Sequence, residues 1–369
     1  MRGHKMKIFK YLSIITLLFA LTACDEFLEE NPNSSISSSQ FFQSTNDAIA
    51  AVNGAYDPLN QWFIMYPRGL YLLGELPTDN AQRGQGVNNP DIVQLGNFTL
   101  NSTNDRVELL YQNFYIAINR ANGAIANIPE MDIQESLKQR LVGEARYIRA
   151  LSYYVLVRFF GPVPLVTVPT NDLSEINPTR APIDDVYSQI IADLEFGEQN
   201  LLDPPDTEEG RATNTAASSL LASVHLTREN WDLAVQNAEE VINSGFHRLL
   251  DDYEAVFRPA TEDNEEIIFA IKFDSNIEGE AFNLRGSFPR GAVPGVQGWG
   301  ADIPREEFYQ FFNDEDSRKN VTFFTEIERG GETFTFGPRW FKFFDPAKFE
   351  SGQSDVDSDF PVLRYAEVL

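Results

Sequence analysis

Five aromatic side chains and one polar run carry most of the chemistry this chain can offer. They are Trp62, Tyr66, Tyr71, Trp299 and Trp340, with Asp79, Asn80, Gln82 and Arg83 following Pro77. Flat aromatic faces pack on the C–H faces of sugar rings, and planar amide, carboxylate and guanidinium groups pair with neighbouring hydroxyls. The combination suits capture of a polyhydroxylated ligand without bond breaking. Trp299 stands in Gly298-Trp299-Gly300, inside glycine-rich irregular chain, and is the leading platform; Tyr71 and Trp340 read more simply as core, as does Trp231 at the start of a packed helix.

Catalytic sets, by contrast, lack parts. Histidine occurs only at His4, His225 and His247, cysteine only at Cys24, and no Gly-x-Ser-x-Gly is present, so triads, zinc sites and thiol chemistry are each missing members. His225 reads as an ordinary helix residue. Acid pairs such as Asp184/Asp185 and Glu306/Glu307 meet the minimum for glycoside hydrolysis, but among 55 acidic residues such pairs arise by abundance and read as solvated surface. Asp355-Val-Asp357-Ser-Asp359 copies the first half of a calcium loop. Phe360 then stands where the loop needs glycine, and Ala366 where it needs a bidentate glutamate. Gly84-Gln-Gly86 lacks the third glycine and the preceding strand of a nucleotide loop. The expectation is a protein with no enzymatic activity, no metal and no cofactor.

Cys24 has a different role. Arg2, Lys5, Lys7 and Lys10 precede an apolar run from Tyr11 to Leu21, too short to span a bilayer, and Leu21-Thr22-Ala23-Cys24 follows. That run resembles the bacterial lipobox, in which the leader is cut before a cysteine carrying acyl chains. Residues 1–23 therefore read as a signal peptide, and residues 24–45 as a lipidated cysteine with a flexible Ser/Asn-rich tether. Losing a leader with four basic and no acidic residues takes the formal charge from −26 to −30. Such acidity repels nucleic acid and anionic headgroups, so membrane attachment must come from the acyl chains, at about 0.8 kcal/mol per buried CH₂.

The elements that must position the aromatic and polar residues are mostly helical. Apolar positions three or four apart predict helices through Ile49, Val52, Tyr56 and Leu59, and through Val107, Leu110, Phe114, Ile118, Ala121 and Ile125. A longer stripe, Leu137 to Phe159, stops at Gly161 and Pro162, and another follows Pro182 with Val186, Ile190 and Leu194 inward. Residues 213–245 read as a helical hairpin with Ala216, Leu220, Val224, Ala234, Ala238 and Val241 facing inward, Asn230 as a cap and Gly245 as the exit. A strand is expected over Ile267 to Phe273 and a helix near Pro304 to Phe312. Residues 78–106 and 274–301 lack periodicity, and long loops of this kind make the first choice for a binding surface. Leu363, Ala366, Val368 and Leu369 begin a further helix.

Four blocks in this order resemble the SusD/RagB family of Bacteroidota lipoproteins. They are Cys24-Asp-Glu-Phe-Leu-Glu-Glu-Asn-Pro32, Asn53-Gly-Ala-Tyr-Asp57, the run from Arg146 to Leu165, and Phe360-Pro-Val-Leu-Arg-Tyr-Ala-Glu-Val-Leu369. The resemblance implies a mostly α fold of tetratricopeptide-like helix pairs with long irregular loops and a few short strands over residues 46–369. It further implies a lipid anchor in the outer membrane facing outward, capture of an oligosaccharide, and delivery to a SusC-like TonB-dependent transporter. Family members continue past the last block, which implies that the final helix pair is incomplete here. In some branches the ligand is a peptide. A more distant alternative is a tetratricopeptide-like assembly adaptor with no small ligand. The family's binding aromatics follow no fixed motif, so Trp62, Tyr66, Asp79, Asn80, Arg83 and Trp299 stand as binding candidates on their own chemistry.

Overall fold

The computed structural model describes residues 41–369 apart from 62–64, 171–177, 277–281, 284–287, 289, 290, 297 and 352–354. The leader, Cys24, most of the tether and Trp62 lie outside the described residues. The helix α1 (Thr45–Tyr56) starts at Ser44, whose hydroxyl accepts the Asp47 N–H while the Asp47 carboxylate accepts the Ser44 N–H, a reciprocal cap. Pro58 then turns the chain into a 3₁₀ segment, Asp57–Asn60. A π-turn over Tyr66–Leu70 leads into the short α2 (Tyr71–Glu75).

Residues 78–106 are less irregular than their composition suggests. They hold a two-residue strand β1 (Ala81–Gln82) and the helix α3 (Pro90–Gly96), in which the Asn89 side chain accepts the Asp91 and Ile92 N–H groups and Pro90 fills the first turn.

The stripes read from the sequence form α4 (Asp105–Asn127), α5 (Glu135–Phe160), α6 (Ile183–Asn200), α7 (Asn214–Thr227) and α8 (Trp231–Ser244). α1 packs on α4, and each later member packs on the next. This is a stack of consecutive helix pairs, stabilised by burying the inward face of each rather than by intrinsic propensity. Gly161 ends α5 at φ 67°, ψ −130°, a conformation that a side chain would strain. Trp231 is 57% exposed and does not belong to the core. It opens α8, where Asn230 supplies no side-chain cap, while Ala234, Asn237 and Val241 take the buried face.

The remaining strands pair antiparallel in twos. β2 (Ile267–Ile271) pairs with β8 (Phe360–Arg364), and β3 (Phe282–Asn283) with β7 (Asp355–Val356). β4 (Ile303–Pro304) pairs with β1, and β5 (Phe323–Arg329) forms a hairpin with β6 (Glu332–Trp340). Short helices α9 (Glu306–Phe311), α10 (Arg318–Thr322), α11 (Pro346–Glu350) and α12 (Tyr365–Val368) complete the described order. Phenylalanines fill this part: Phe288 contacts Phe324, Phe336, Phe344 and Phe349, and Phe323 contacts Phe308, Phe312 and Trp340. Among the described residues no helix is long and apolar enough to cross a membrane.

Candidate functional site

The loop 78–106 is laced to the end of the loop 274–301 and to the residues just beyond it, 303–305. The Gly84 N–H donates to the Gly300 carbonyl at 2.9 Å, and the Arg305 N–H donates to the Asn80 carbonyl at 2.8 Å. The Arg305 Nε–H reaches the Ala81 carbonyl at 2.9 Å, across 224 residues of sequence. Between these bonds Ala81 pairs with Pro304 and Gln82 with Ile303. Glycine is required at position 84 because a Cβ there would collide with the Gly300 carbonyl oxygen. The resulting junction sets Asp79, Asn80, Gln82 and Arg83 beside the segment that bears Trp299.

The candidates other than Trp62 take the following places. Trp299 is half-buried, with the Arg68 guanidinium 4.4 Å from its ring centroid. Burial, aided by the charge of Arg106, lowers Arg68 to about 10. Asp79 and Arg83 are exposed, and Asn80 is half-buried, its N–H held by the Thr78 hydroxyl at 3.2 Å. The Arg83 Nη1–H donates to the Val87 carbonyl at 3.1 Å, which spans its loop and leaves the rest of the guanidinium on the surface. Tyr66 is a correction: it is 2% exposed, its ring lies against Phe114 and Phe360, and burial pushes its hydroxyl pKa up. It presents no face to a ligand.

Beneath the junction, Tyr71 from α2 meets Trp340 from β6 edge to face at 6.4 Å, and Trp340 stacks on Phe323 at 5.5 Å. Tyr71 and Trp340 are each half-buried, so both are supports of the junction as much as they are core. Asp302 lies here too, a residue that sequence reasoning passed over because nothing local marks it.

The sequence's other chemical motifs spend their groups on packing or lie on the surface. The His225 Nδ1 faces the Asn230 amide at 3.5 Å and the His247 Nε2 faces the Thr215 hydroxyl at 2.9 Å; burial lowers both pKa values. Asp184 and Asp185 lie on the surface in the first turn of α6, and Glu306 and Glu307 lie on the surface in the first turn of α9. Asp357 accepts the Ser275 N–H and pairs with Lys348, while Asp359 accepts the Phe273 N–H and pairs with Lys272, so these two carboxylates of the calcium-like run do not converge. Among the described residues no group of three His, Cys, Asp or Glu side chains is placed to hold a metal ion. A separate open cavity of about 680 Å³ is walled by Asn53, Asp57, Arg120, Glu208, Arg211 and Lys272, with its cations paired to neighbouring carboxylates.

Comparison with known proteins agrees with this architecture. Residues 26–226 match the SusD-like family described as starch-binding and associating with the outer membrane. The chain is similar to SusD-like protein P2 of Formosa agariphila, 29% identical over 397 residues, covering 99% of this chain and 76% of that protein. It spans between 46% and 64% of the lengths of four further curated relatives. A SusD superfamily crystal structure from Parabacteroides distasonis superposes with a TM-score of 0.78 at 26% identity, covering 88% of this chain and 74% of that one. A structure determined with a xylogluco-oligosaccharide gives a TM-score of 0.71 at 25% identity, covering 86% and 69%.

Proposed function

This chain belongs to the SusD-like family, and from that premise we propose that it captures an oligosaccharide at the outer membrane without transforming it, and passes it to a SusC-like TonB-dependent transporter. The observation that carries the reading is the lacing of residues 80–84 to residues 300–305, which brings a half-buried tryptophan and the exposed polar side chains Asp79 and Arg83 into one neighbourhood. Trp299 supplies the face for a sugar ring, stiffened by Arg68 behind it. Asp79, Asn80 and Arg83 supply planar partners for hydroxyls. Cys24 supplies the lipid anchor, and the outward-facing placement follows the family resemblance.

The test is titration of the protein with maltoheptaose and with a xylogluco-oligosaccharide, before and after Trp299→Ala. Truncating an aromatic that carries a site commonly costs 2 kcal/mol or more, about thirtyfold, so a loss of at least tenfold with a nearly unchanged melting temperature is expected. A large drop in melting temperature with little change in affinity would move Trp299 into the core, where loss of a Trp costs about 3 to 5 kcal/mol. Intact recovery of the bound sugar after prolonged incubation is expected; reproducible fragments would refute the absence of catalysis. For the anchor, Cys24→Ala should abolish recovery in the outer-membrane fraction, and equal recovery of both forms would sink it.

One observation favours a second reading, capture of a peptide. The 680 Å³ cavity is lined by paired charges and amides, a surface suited to backbone and terminal groups. Affinity for short peptides, retained in Trp299→Ala, would select it.

A further inference from the structure

Asp302 is the one carboxylate beneath the junction whose burial the surroundings do not repay. It is 3% exposed, and among the described residues neither of its oxygens closes a hydrogen bond of ordinary geometry. Glu75 of α2, a second acid whose negative charge acts on it, makes matters worse for an anion; Tyr71 of α2 and the indole of Trp340 from β6 face it as neutral donors. Lys342, just beyond β6, acts on Glu75. Arg305, on the same segment as Asp302, spends its Nε–H on the Ala81 carbonyl, and Arg68 lies over Trp299. An isolated carboxylate taken out of water at such a site neutralises by binding a proton instead of persisting as a charge.

We infer that Asp302 is a positioning residue, carried as the neutral acid under the 80–84/300–305 junction, and that loss of its proton in alkaline solution opens the junction and weakens ligand capture. Burial, followed by the charge of Glu75, pushes its carboxyl well above the usual range, while Tyr71 and Trp340 act on it in the opposite sense as donors. The consequence is local because Asp302 lies two residues from Gly300 and three from Arg305, the two residues that hold residues 80–84. A carboxylate forced to ionise there regains solvation only by moving out of its aromatic surroundings. Those inter-loop bonds must break for it to do so.

The link to capture rests on the proposed function, whereas the state of the carboxyl does not, and the experiment separates them. Amide hydrogen exchange over residues 298–305 is measured without ligand between about pH 6.5 and about pH 9.5, corrected for intrinsic exchange, for the parent and for Asp302→Asn. The neutral isostere cannot ionise. Protection in the parent should fall at least tenfold across that range, which is the effect of about one pH unit of linked ionisation, and should stay flat in Asp302→Asn. Flat protection in the parent, or an equal fall in both, overturns the inference; the parent profile alone decides it if the variant does not fold. Maltoheptaose affinity is followed over the same range. Protection that falls while affinity holds overturns the link to capture, and absence of maltoheptaose binding at every pH with the expected exchange profile counts against maltoheptaose as the captured sugar while leaving the role of Asp302 standing.

Discussion

Asp193 in the helix stack and Asp302 in the aromatic junction are both shielded from water, at 0% and 3% exposure, and their surroundings are opposite. Asp193 receives both forks of Arg149, at 2.8 and 2.7 Å, and Arg149 in turn reaches the Asn122 amide oxygen at 2.7 Å and the Thr167 carbonyl at 3.1 Å. A bidentate pair with its remaining protons satisfied repays much of the cost of desolvation. The same region ties Glu144 to Arg211 at 2.8 Å. Among the described residues Asp302 has no such cation. Charge buried in the stack fastens helix to helix, whereas an acid buried in the junction without a counter-charge among the described residues leaves the two loops conditional on a proton. Strain of this kind gathers where a protein must bind or move.

The contrast is broken most severely at Asp193. Asp193→Asn leaves Arg149 buried without its anion, so a loss of about 3 to 5 kcal/mol is expected in denaturant unfolding. Asp302→Asn removes a penalty and should leave global stability level or higher at neutral pH. Equal losses in the two variants would erase the distinction drawn between the regions.

An intermediate case sharpens it. Glu262 is half-exposed beside Asp263 and Asp359, with Lys272 the shared cation, and burial and the charge of Asp359 push it up to about 7. A carboxyl whose folded pKa exceeds its ordinary value favours the fold fully below about pH 4.5, and loses that contribution as pH rises through about 7. The melting temperature should therefore decline between about pH 5 and about pH 8, by an amount moderated by solvent screening. Glu262→Gln should flatten that slope, and an unchanged slope would show that Lys272 neutralises the whole cluster.

The smallest effect is expected at Trp231. Exposed at the start of α8, it should be replaceable by alanine within about 0.5 kcal/mol. A cost of several kcal/mol would restore it to the core.

Much of the helix stack was legible in the sequence because its signal is short-range. Leu110, Phe114 and Ile118 in α4, and Val186, Ile190 and Leu194 in α6, lie three or four apart and are all buried. Gly161 and Gly245 stop their helices at positive φ, as their positions suggested. The helix α3 was missed although Asn89-Pro90 is a start signal, because the surrounding Asn, Gly and Gln residues masked one short turn pair. Trp231 was misread because spacing places it above Ala234 without saying whether anything covers the first turn. Tyr66 was misread for a related reason: an aromatic between irregular segments can be platform or core, and only its contacts with Phe114 and Phe360 decide which.

By itself, then, the sequence determined the helix pairs, their order and the two loops worth attention, since periodicity, caps and glycine stops act over a few residues. Tertiary structure alone decided that residues 81–82 pair with residues 303–304 at the end of the second loop, that Gly84 must be glycine, and that Asp302 lies under them with no cation beside it among the described residues. The reason is physical. A hydrogen bond across 224 residues and the solvation of a carboxylate are set by what packing brings alongside, and no local pattern of residues records it.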